Sequence, residues 1–182
     1  MLATPEPEQA RWGSAENYKP HWASRSALAA SLVPDGASVL EVGAGVGHFR
    51  DIVRQRTRYL GTDLQPLDPA YLTCNLDVDA VPAGQFDYAV ALGVFAYLHH
   101  PERAARKLCE AAERVVISYC CRRNEVEPAD AAESRSARGW LNSYDPQQFA
   151  LLFERHGHVL ESRQSLVSDA FLEEYLFVFR RE

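Results

Sequence analysis

Three glycines at alternate positions, Gly43, Gly45 and Gly47 in the run Glu41-Val42-Gly43-Ala44-Gly45-Val46-Gly47, have the spacing that first points to chemistry in this chain. Without a Cβ, and with positive φ open to them, glycines let a ligand lie directly against the backbone. A glycine-rich turn alone is a weak signal, and a turn of purely structural use is the competing reading. Two kinds of ligand site compete as well. A dinucleotide site wants G-x-G-x-x-G with pyrophosphate on the helix N-terminus, whereas a nucleoside site needs no phosphate. Here the spacing is G-x-G-x-G, His48 stands where the third dinucleotide glycine would be, and Glu41 closes the preceding apolar run. A carboxylate at that place repels pyrophosphate and suits a ligand carrying an ammonium group. Twenty residues beyond Gly43 stands Asp63, whose carboxylate can accept hydrogen bonds from two ribose hydroxyls. Its bland alternative is a turn residue ahead of Pro66.

These residues need a strand before the glycines and a helix after them, and the pattern supplies both. Residues 38–42 are short, apolar and β-branched, which reads as a buried strand, and 48–56 supports the helix. Upstream, apolar residues recur at helical spacing over 21–33 until Pro34-Asp35-Gly36 stops them. Strands follow at 59–63, more weakly at 71–76, and at 86–92; a helix over 102–114 is started by Pro101. A central strand is expected over 114–119, a helix over 146–156 with Asp145 as N-cap, and two strand-like runs at 158–166 and 175–181. Alternating strands and helices closed by a hairpin indicate an α/β fold, a doubly wound Rossmann-like sheet that is mostly parallel with an antiparallel C-terminal strand. Residues 1–17 read as a flexible N-terminal tail rich in Pro and Glu, and 18–182 as one domain in which the polar stretch 122–144 is an insertion.

Composition narrows the function. The chain has 182 residues, 47% of them hydrophobic, and 25 acidic against 19 basic groups give a net charge of -6. That is ordinary globular composition without the basic footprint of a phosphate binder, so a nucleic-acid substrate is disfavoured. No apolar run approaches the roughly 18 residues of a membrane span. Cys74, Cys109, Cys120 and Cys121 show no metal-binding CxxC spacing, and no metal site is expected; reduced, mostly buried cysteines fit a cytoplasmic location.

Three segments in order now resemble those of class I S-adenosylmethionine-dependent methyltransferases: VLEVGAGVG like the family's first motif, YLGTDL like its acidic second, and FDYAVALGVFAYLHHPE like the segment after the fourth strand. The resemblance covers most of the chain, from Trp22 to Arg180, and implies S-adenosyl-L-methionine as cofactor. By that resemblance Glu41, Gly43, Gly45 and Gly47 surround the methionine and ribose portion, Asp63 takes the ribose hydroxyls and Leu64 packs on the adenine face. Asn75, followed by Leu76, falls where the family commonly has an acidic residue accepting from the adenine amino group; Asn accepts too, but also donates. Backbone carbonyls of Ala91, Leu92 and Gly93 meet the cofactor's amino group, and Phe95 and Tyr97 wall the reaction site, unless they simply pack a helix on the sheet. The segment lacks the Asn/Asp-Pro-Pro-aromatic element that in the family accompanies methylation of exocyclic amines.

The activity so implied is methyl transfer to a small-molecule or sugar-type acceptor, most simply O-methylation by in-line displacement, which asks chiefly for alignment in a sheltered site. For a hydroxyl acceptor a general base helps, and His99 and His100 are the placed candidates, with a surface or helix-capping role as the alternative. Tyr18, His21 and Trp22 are expected as a lid, or else as an ordinary anchored helix. Acceptor specificity is expected within 122–144: Arg122, Arg123, Arg135 and Arg138 for an anionic group, Trp140 and Tyr144 for a ring or sugar, against the alternative of a solvated loop. With little chain to cap it, the pocket stays open or is completed by another subunit, in a homo-oligomer or with a partner. Two other readings stay open: a silent accessory module that keeps the cofactor fold, and a protein side-chain methyltransferase. A nicotinamide-dependent oxidoreductase is least favoured, because of Glu41 and the glycine spacing.

Overall fold

The computed structural model describes residues 14, 22–123, 129–168 and 172–182. The glycine turn leaves the end of β1 (Ser38–Val42), flanked on one side by β2 (Arg58–Asp63) and then the two-residue β3 (Leu72–Thr73), and on the other by β4 (Phe86–Leu92) and β5 (Ala112–Arg122), all parallel. β6 (His158–Ser168) and β7 (Leu172–Arg181) form a hairpin in which β7 lies antiparallel between β5 and β6, giving the order β3-β2-β1-β4-β5-β7-β6. This is the doubly wound, mostly parallel sheet with an antiparallel C-terminal strand that the hydrophobic pattern indicates.

Helices cover both faces, which is why the central strands are apolar without alternation. On one face Ala29 and Ala30 of α1 (Trp22–Ser31) and Phe49 and Val53 of α2 (His48–Val53) pack on Val39, Val90, Val116 and Val178. On the other, Ala104, Ala105 and Leu108 of α3 (Pro101–Ala111) join Phe149, Leu152 and Phe153, and these cover Leu40, Ala91, Ile117 and Phe177. The short helix α4 (Ala129–Ala137) lies inside the stretch expected to be an insertion. α5 (Pro146–Glu154) starts on a capping box: Asp145 accepts from the backbone of Gln147 (2.9 Å) and Gln148 (2.8 Å), while Gln148 reaches back to the Asp145 N–H.

Two boundaries differ from the sequence pattern for tertiary reasons. The helix expected over 102–114 stops at Ala111, because Ala112 is extended and pairs with Phe86, so β5 starts earlier and runs to Arg122. The strand expected over 71–76 shrinks to Leu72–Thr73; beyond it the chain turns on side chains, with the Asp79 carboxylate accepting from Asn75 N–H and Asn75 Oδ1 from Asp77 N–H. Of the residues expected as a lid, Trp22 begins α1, while Tyr18 and His21, like the expected tail apart from Ser14, lie outside the described residues.

The chain leaves β1 toward one edge of the sheet and β4 toward the other. Their carboxyl ends therefore border the crevice where open α/β sheets bind ligands.

Candidate active site

A cleft of about 640 Å³ opens at that crevice. Its floor is the glycine turn. Gly43, Gly45 and Gly47 all have positive φ (75°, 54° and 89°), and a Cβ on Gly43 would collide with Val94 of the turn after β4. The turn is tied to β2 by backbone bonds from Gly43 and Ala44 to Thr62 O (2.9 and 3.0 Å) and by Gly45 N–H donating to Asp63 Oδ2 at 2.8 Å. Asp63 Oδ1 accepts from Gln65 N–H at 3.0 Å. A carboxylate has about four acceptor sites, so capacity remains beside these N–H groups for a ligand's hydroxyl.

Two carboxyl groups are buried here and burial dominates both. Glu41, 3% exposed, is pushed up to about 8 by loss of water and by neighbouring Asp63, against the opposing hydrogen bond from Tyr59 Oη. Asp63 is also raised by burial, held back by the N–H groups of Gly45, Gln65 and Leu64. Tyr59 fits beneath because residue 61 is glycine: a Cβ there would meet Tyr59 Oη at 2.6 Å and the Tyr71 ring at 2.7 Å.

The cleft gathers Glu41, Gly43, Gly45, Asp63, Leu64, Asn75, Leu76 and Leu92, all expected as cofactor-binding, together with Tyr97, Arg138 and Trp140 from the expected acceptor set. Gly47 lies just behind the lining, where its positive φ turns the chain into α2. Asn75 is present in the wall, but its Oδ1 already accepts from the Asp77 N–H at 3.1 Å.

His99 and His100 are not brought into the cleft. His99 is exposed and His100 half-buried, and what both contribute is main chain: their N–H groups donate to Asp77 Oδ2 (3.1 Å) and Oδ1 (2.8 Å), which anchors the start of α3. His48, in the first turn of α2, is the histidine that lines the cleft among the described residues. Phe95 does not wall the site either; fully buried, it packs its ring against Phe149 (5.7 Å) and Phe153 (5.5 Å).

Tyr144 stands outside the lining as well, packed near Tyr119 and Phe149 with ring centroids 6.0 and 6.3 Å away. Arg122 holds the cap of α5, donating to Gln148 Oε1 at 2.7 Å, and Arg123 pairs with Glu173 at 3.4 Å. Arg135 is buried and donates to Asn142 O at 2.8 Å. Only Arg138 of these arginines reaches the cleft, its guanidinium 5.1 Å from the Trp140 ring centroid.

Several lining residues carry no motif in the sequence: Arg25 of α1, Ser118 and Cys120 of β5, and Glu174 of β7; Trp22, expected as part of a lid, lines the cleft from the start of α1. Alternation places Ser118 and Cys120 on the same face of β5 as Val116, toward α1. Arg25 Nη1 pairs with Glu174 Oε1 at 2.7 Å. Asn142 fixes the wall opposite α1, donating from Nδ2 to Phe95 O (2.8 Å) and Leu98 O (3.1 Å) and accepting from Tyr119 Oη (2.8 Å). Among the described residues no group of three or more His, Cys, Asp or Glu is placed to hold a metal, and no helix is long and apolar enough to cross a membrane.

Comparison with known proteins agrees with this geometry. The pattern that defines a methyltransferase domain matches residues 15–163, most of the chain. The chain belongs to the class I S-adenosylmethionine-dependent methyltransferases. Solved structures share the fold at low identity. A TehB-like SAM-dependent methyltransferase from Corynebacterium glutamicum is 24% identical, over 92% of this chain and 98% of that one, with a TM-score of 0.63. Magnesium protoporphyrin IX methyltransferase from Synechocystis, with bound S-adenosylhomocysteine, is 15% identical over 100% and 90%, with a TM-score of 0.65. Its form with bound S-adenosylmethionine gives 14%, 97% and 92%, and 0.67. No match is found among curated proteins. The methyltransferase uses S-adenosylmethionine.

Proposed function

We propose that this methyltransferase methylates an oxygen atom of a small-molecule or sugar-type acceptor, with the cofactor in the Glu41–Asp63 end of the cleft and the acceptor in the Trp140 end. The carrying observation is that one continuous cleft runs from the glycine turn to Trp140 across the ends of β1, β4 and β5. The residues present fit the cofactor. Gly43 and Gly45 clear the floor, the Asp63 carboxylate keeps acceptor capacity for ribose hydroxyls, Leu64 and Leu76 offer apolar surface to a base, and buried Glu41 answers an ammonium group. S-adenosylmethionine, when bound, supplies an electrophilic methyl group on a sulfonium.

The protein's own task is then alignment and exclusion of water, and the buried floor and aromatic wall serve both. We assign no base role to the imidazoles of His99 and His100; the two residues hold the turn after β4 through their main-chain N–H groups. The absence from Leu92-Gly93-Val94-Phe95 of the Pro-Pro-aromatic element that accompanies methylation of planar exocyclic amines in the family speaks against a nucleic-acid base as acceptor, and an oxygen is the simplest remaining nucleophile.

Calorimetric titration with S-adenosylmethionine, S-adenosylhomocysteine and, as control, NAD tests the cofactor end. Micromolar binding of the first two is expected, with Asp63→Ala weakening it by roughly 1–3 kcal/mol through hydroxyls left unpaired. Unchanged affinity in that variant would sink the assignment of Asp63.

A further inference from the structure

Glu41 stands at the floor of the cleft, 3% exposed, and what surrounds it favours a neutral carboxyl. Opposite it, β4 presents Val90 and β2 presents Gly61, whose missing Cβ lets the Tyr59 ring pass. Tyr59 Oη donates to Glu41 Oε2, and Asp63, also from β2, opposes a second negative charge. Arg50 of α2 is the cation felt there, but Asp68 (2.5 Å) and Asp51 (3.1 Å) hold its guanidinium, which lies over the Tyr71 ring at 5.2 Å. His48 lines the cleft from the same helix, and Arg25 of α1 is paired with Glu174 at 2.7 Å.

A buried carboxyl whose neighbouring cation is engaged elsewhere keeps its proton, because ionising it would leave a charge unpaired in a medium of low dielectric. The Tyr59 hydroxyl suits either form of Glu41, since Oε2 accepts from it whether or not the other oxygen bears a proton. Its own proton is held firmly, by burial and by Glu41. An ammonium group brought over the floor reverses the preference, and in a water-poor site that attraction acts without direct contact.

We infer that Glu41 releases its proton to solvent when the cofactor's ammonium group arrives, and that Tyr59, through its hydrogen bond to Oε2, is the positioning residue that tunes this exchange. The inference rests on the reading that buried Glu41 answers the ammonium group. One O–H bond breaks at Glu41, the proton passes to the buffer, and a carboxylate–ammonium pair replaces a neutral acid beside a cation. Because a proton leaves on binding, cofactor affinity rises with pH, by nearly tenfold per unit, and levels off above about 8, where Glu41 is already ionised before binding.

Calorimetric titration at pH 7 in phosphate and in Tris, buffers that differ in ionisation enthalpy, counts the protons. S-adenosylhomocysteine is expected to release nearly one. 5′-Methylthioadenosine keeps the nucleoside and lacks the ammonium group; it is expected to release none, which sets aside any proton from Asp63 or His48. Glu41→Gln should abolish the release seen with S-adenosylhomocysteine. In Tyr59→Phe the bond that favours ionised Glu41 is gone, so release should persist at about pH 8.5, where in the native protein it has mostly faded.

Binding of S-adenosylhomocysteine without proton release overturns the inference and leaves the cofactor site standing. Equal release with 5′-methylthioadenosine, or release that survives Glu41→Gln, overturns it too, since the proton then comes from another group. If Tyr59→Phe lowers Tm but leaves the pH range of release unchanged, Tyr59 is structural and its positioning role falls. Failure of S-adenosylhomocysteine to bind is a different result, and it takes down the cofactor assignment together with the inference.

Discussion

The two ends of the cleft are built in different ways. At the Glu41–Asp63 end the ligand surface is mostly backbone, shaped by three glycines within five residues and fastened to the next strand by Asp63 and Thr62. At the Trp140 end it is side chains, drawn from α1, β5, β7 and the segment after α4, and held together by Asn142 and the Arg25–Glu174 pair. A backbone-built end admits one ligand class and changes little without breaking. A side-chain-built end can be altered one residue at a time, which suits a fold whose relatives take different acceptors.

The largest expected effect at the backbone-built end comes from Glu41. Its carboxyl is protonated below its ordinary value of 4.5 whether the chain is folded or not. From there to about 8 the unfolded chain releases the proton while the folded one keeps it, so the stability this group gives is full below 4.5 and falls as pH rises, levelling above 8. The slope reaches about 1.4 kcal/mol per pH unit. Glu41→Gln keeps an acceptor for Tyr59 without a titrating group, so its Tm should fall less than the native protein's between pH 5 and 8. Parallel Tm curves would show that Glu41 ionises freely.

Next is Gly43→Ala. The added Cβ meets Val94, and φ of 75° is strained for any residue with a side chain. S-adenosylhomocysteine affinity should drop about 100-fold, roughly 3 kcal/mol, in a protein whose circular dichroism is unchanged. Native affinity would mean that the floor of the cleft can shift, and the contrast between the two ends would fail.

The same contrast explains what the sequence reveals. Glu41 to Gly47 and Asp63 are legible because consecutive residues and a fixed spacing carry them, and the doubly wound order follows from apolar runs separated by turn signals. Ser118 is illegible. In Val-Val-Ile-Ser-Tyr it reads as one more strand residue, and only the pairing of β5 with β4 and β7, at Leu92 and Leu176, brings it to the cleft. His99 and His100 mislead for the related reason that position just past a strand does not tell which way a side chain faces. The arginines of 122–144 mislead too, since Arg122, Arg123 and Arg135 hold α5, β7 and the Asn142 turn and stand away from the cleft lining.

At the side-chain-built end, Asn142→Ala should have the greatest effect on stability. One amide satisfies the carbonyls of Phe95 and Leu98, and its removal leaves them to find water or remain unpaired, while the Tyr119 hydroxyl loses the amide oxygen and keeps the Asn142 carbonyl and the Tyr144 N–H. A loss of about 2 kcal/mol in urea unfolding is expected, with S-adenosylhomocysteine affinity kept. Loss of cofactor affinity instead would show that the two ends are coupled through the turn after β4.

The smallest effect sharpens the boundary between the ends, because Asp77 lines the cleft yet serves the helix behind it. Its two carboxylate oxygens take the N–H groups of His99 and His100 at the start of α3, a place where negative charge also meets the positive end of the helix. Asp77→Asn retains one oxygen and loses the charge. Stability should fall by about 0.5–1 kcal/mol, and the drop should shrink in high salt, where the helix end is screened. Because the deficit lies in main-chain N–H groups, removing the imidazoles by His99→Ala should not reproduce it. If that substitution costs as much stability as Asp77→Asn, the imidazole and not the backbone is what Asp77 holds in place.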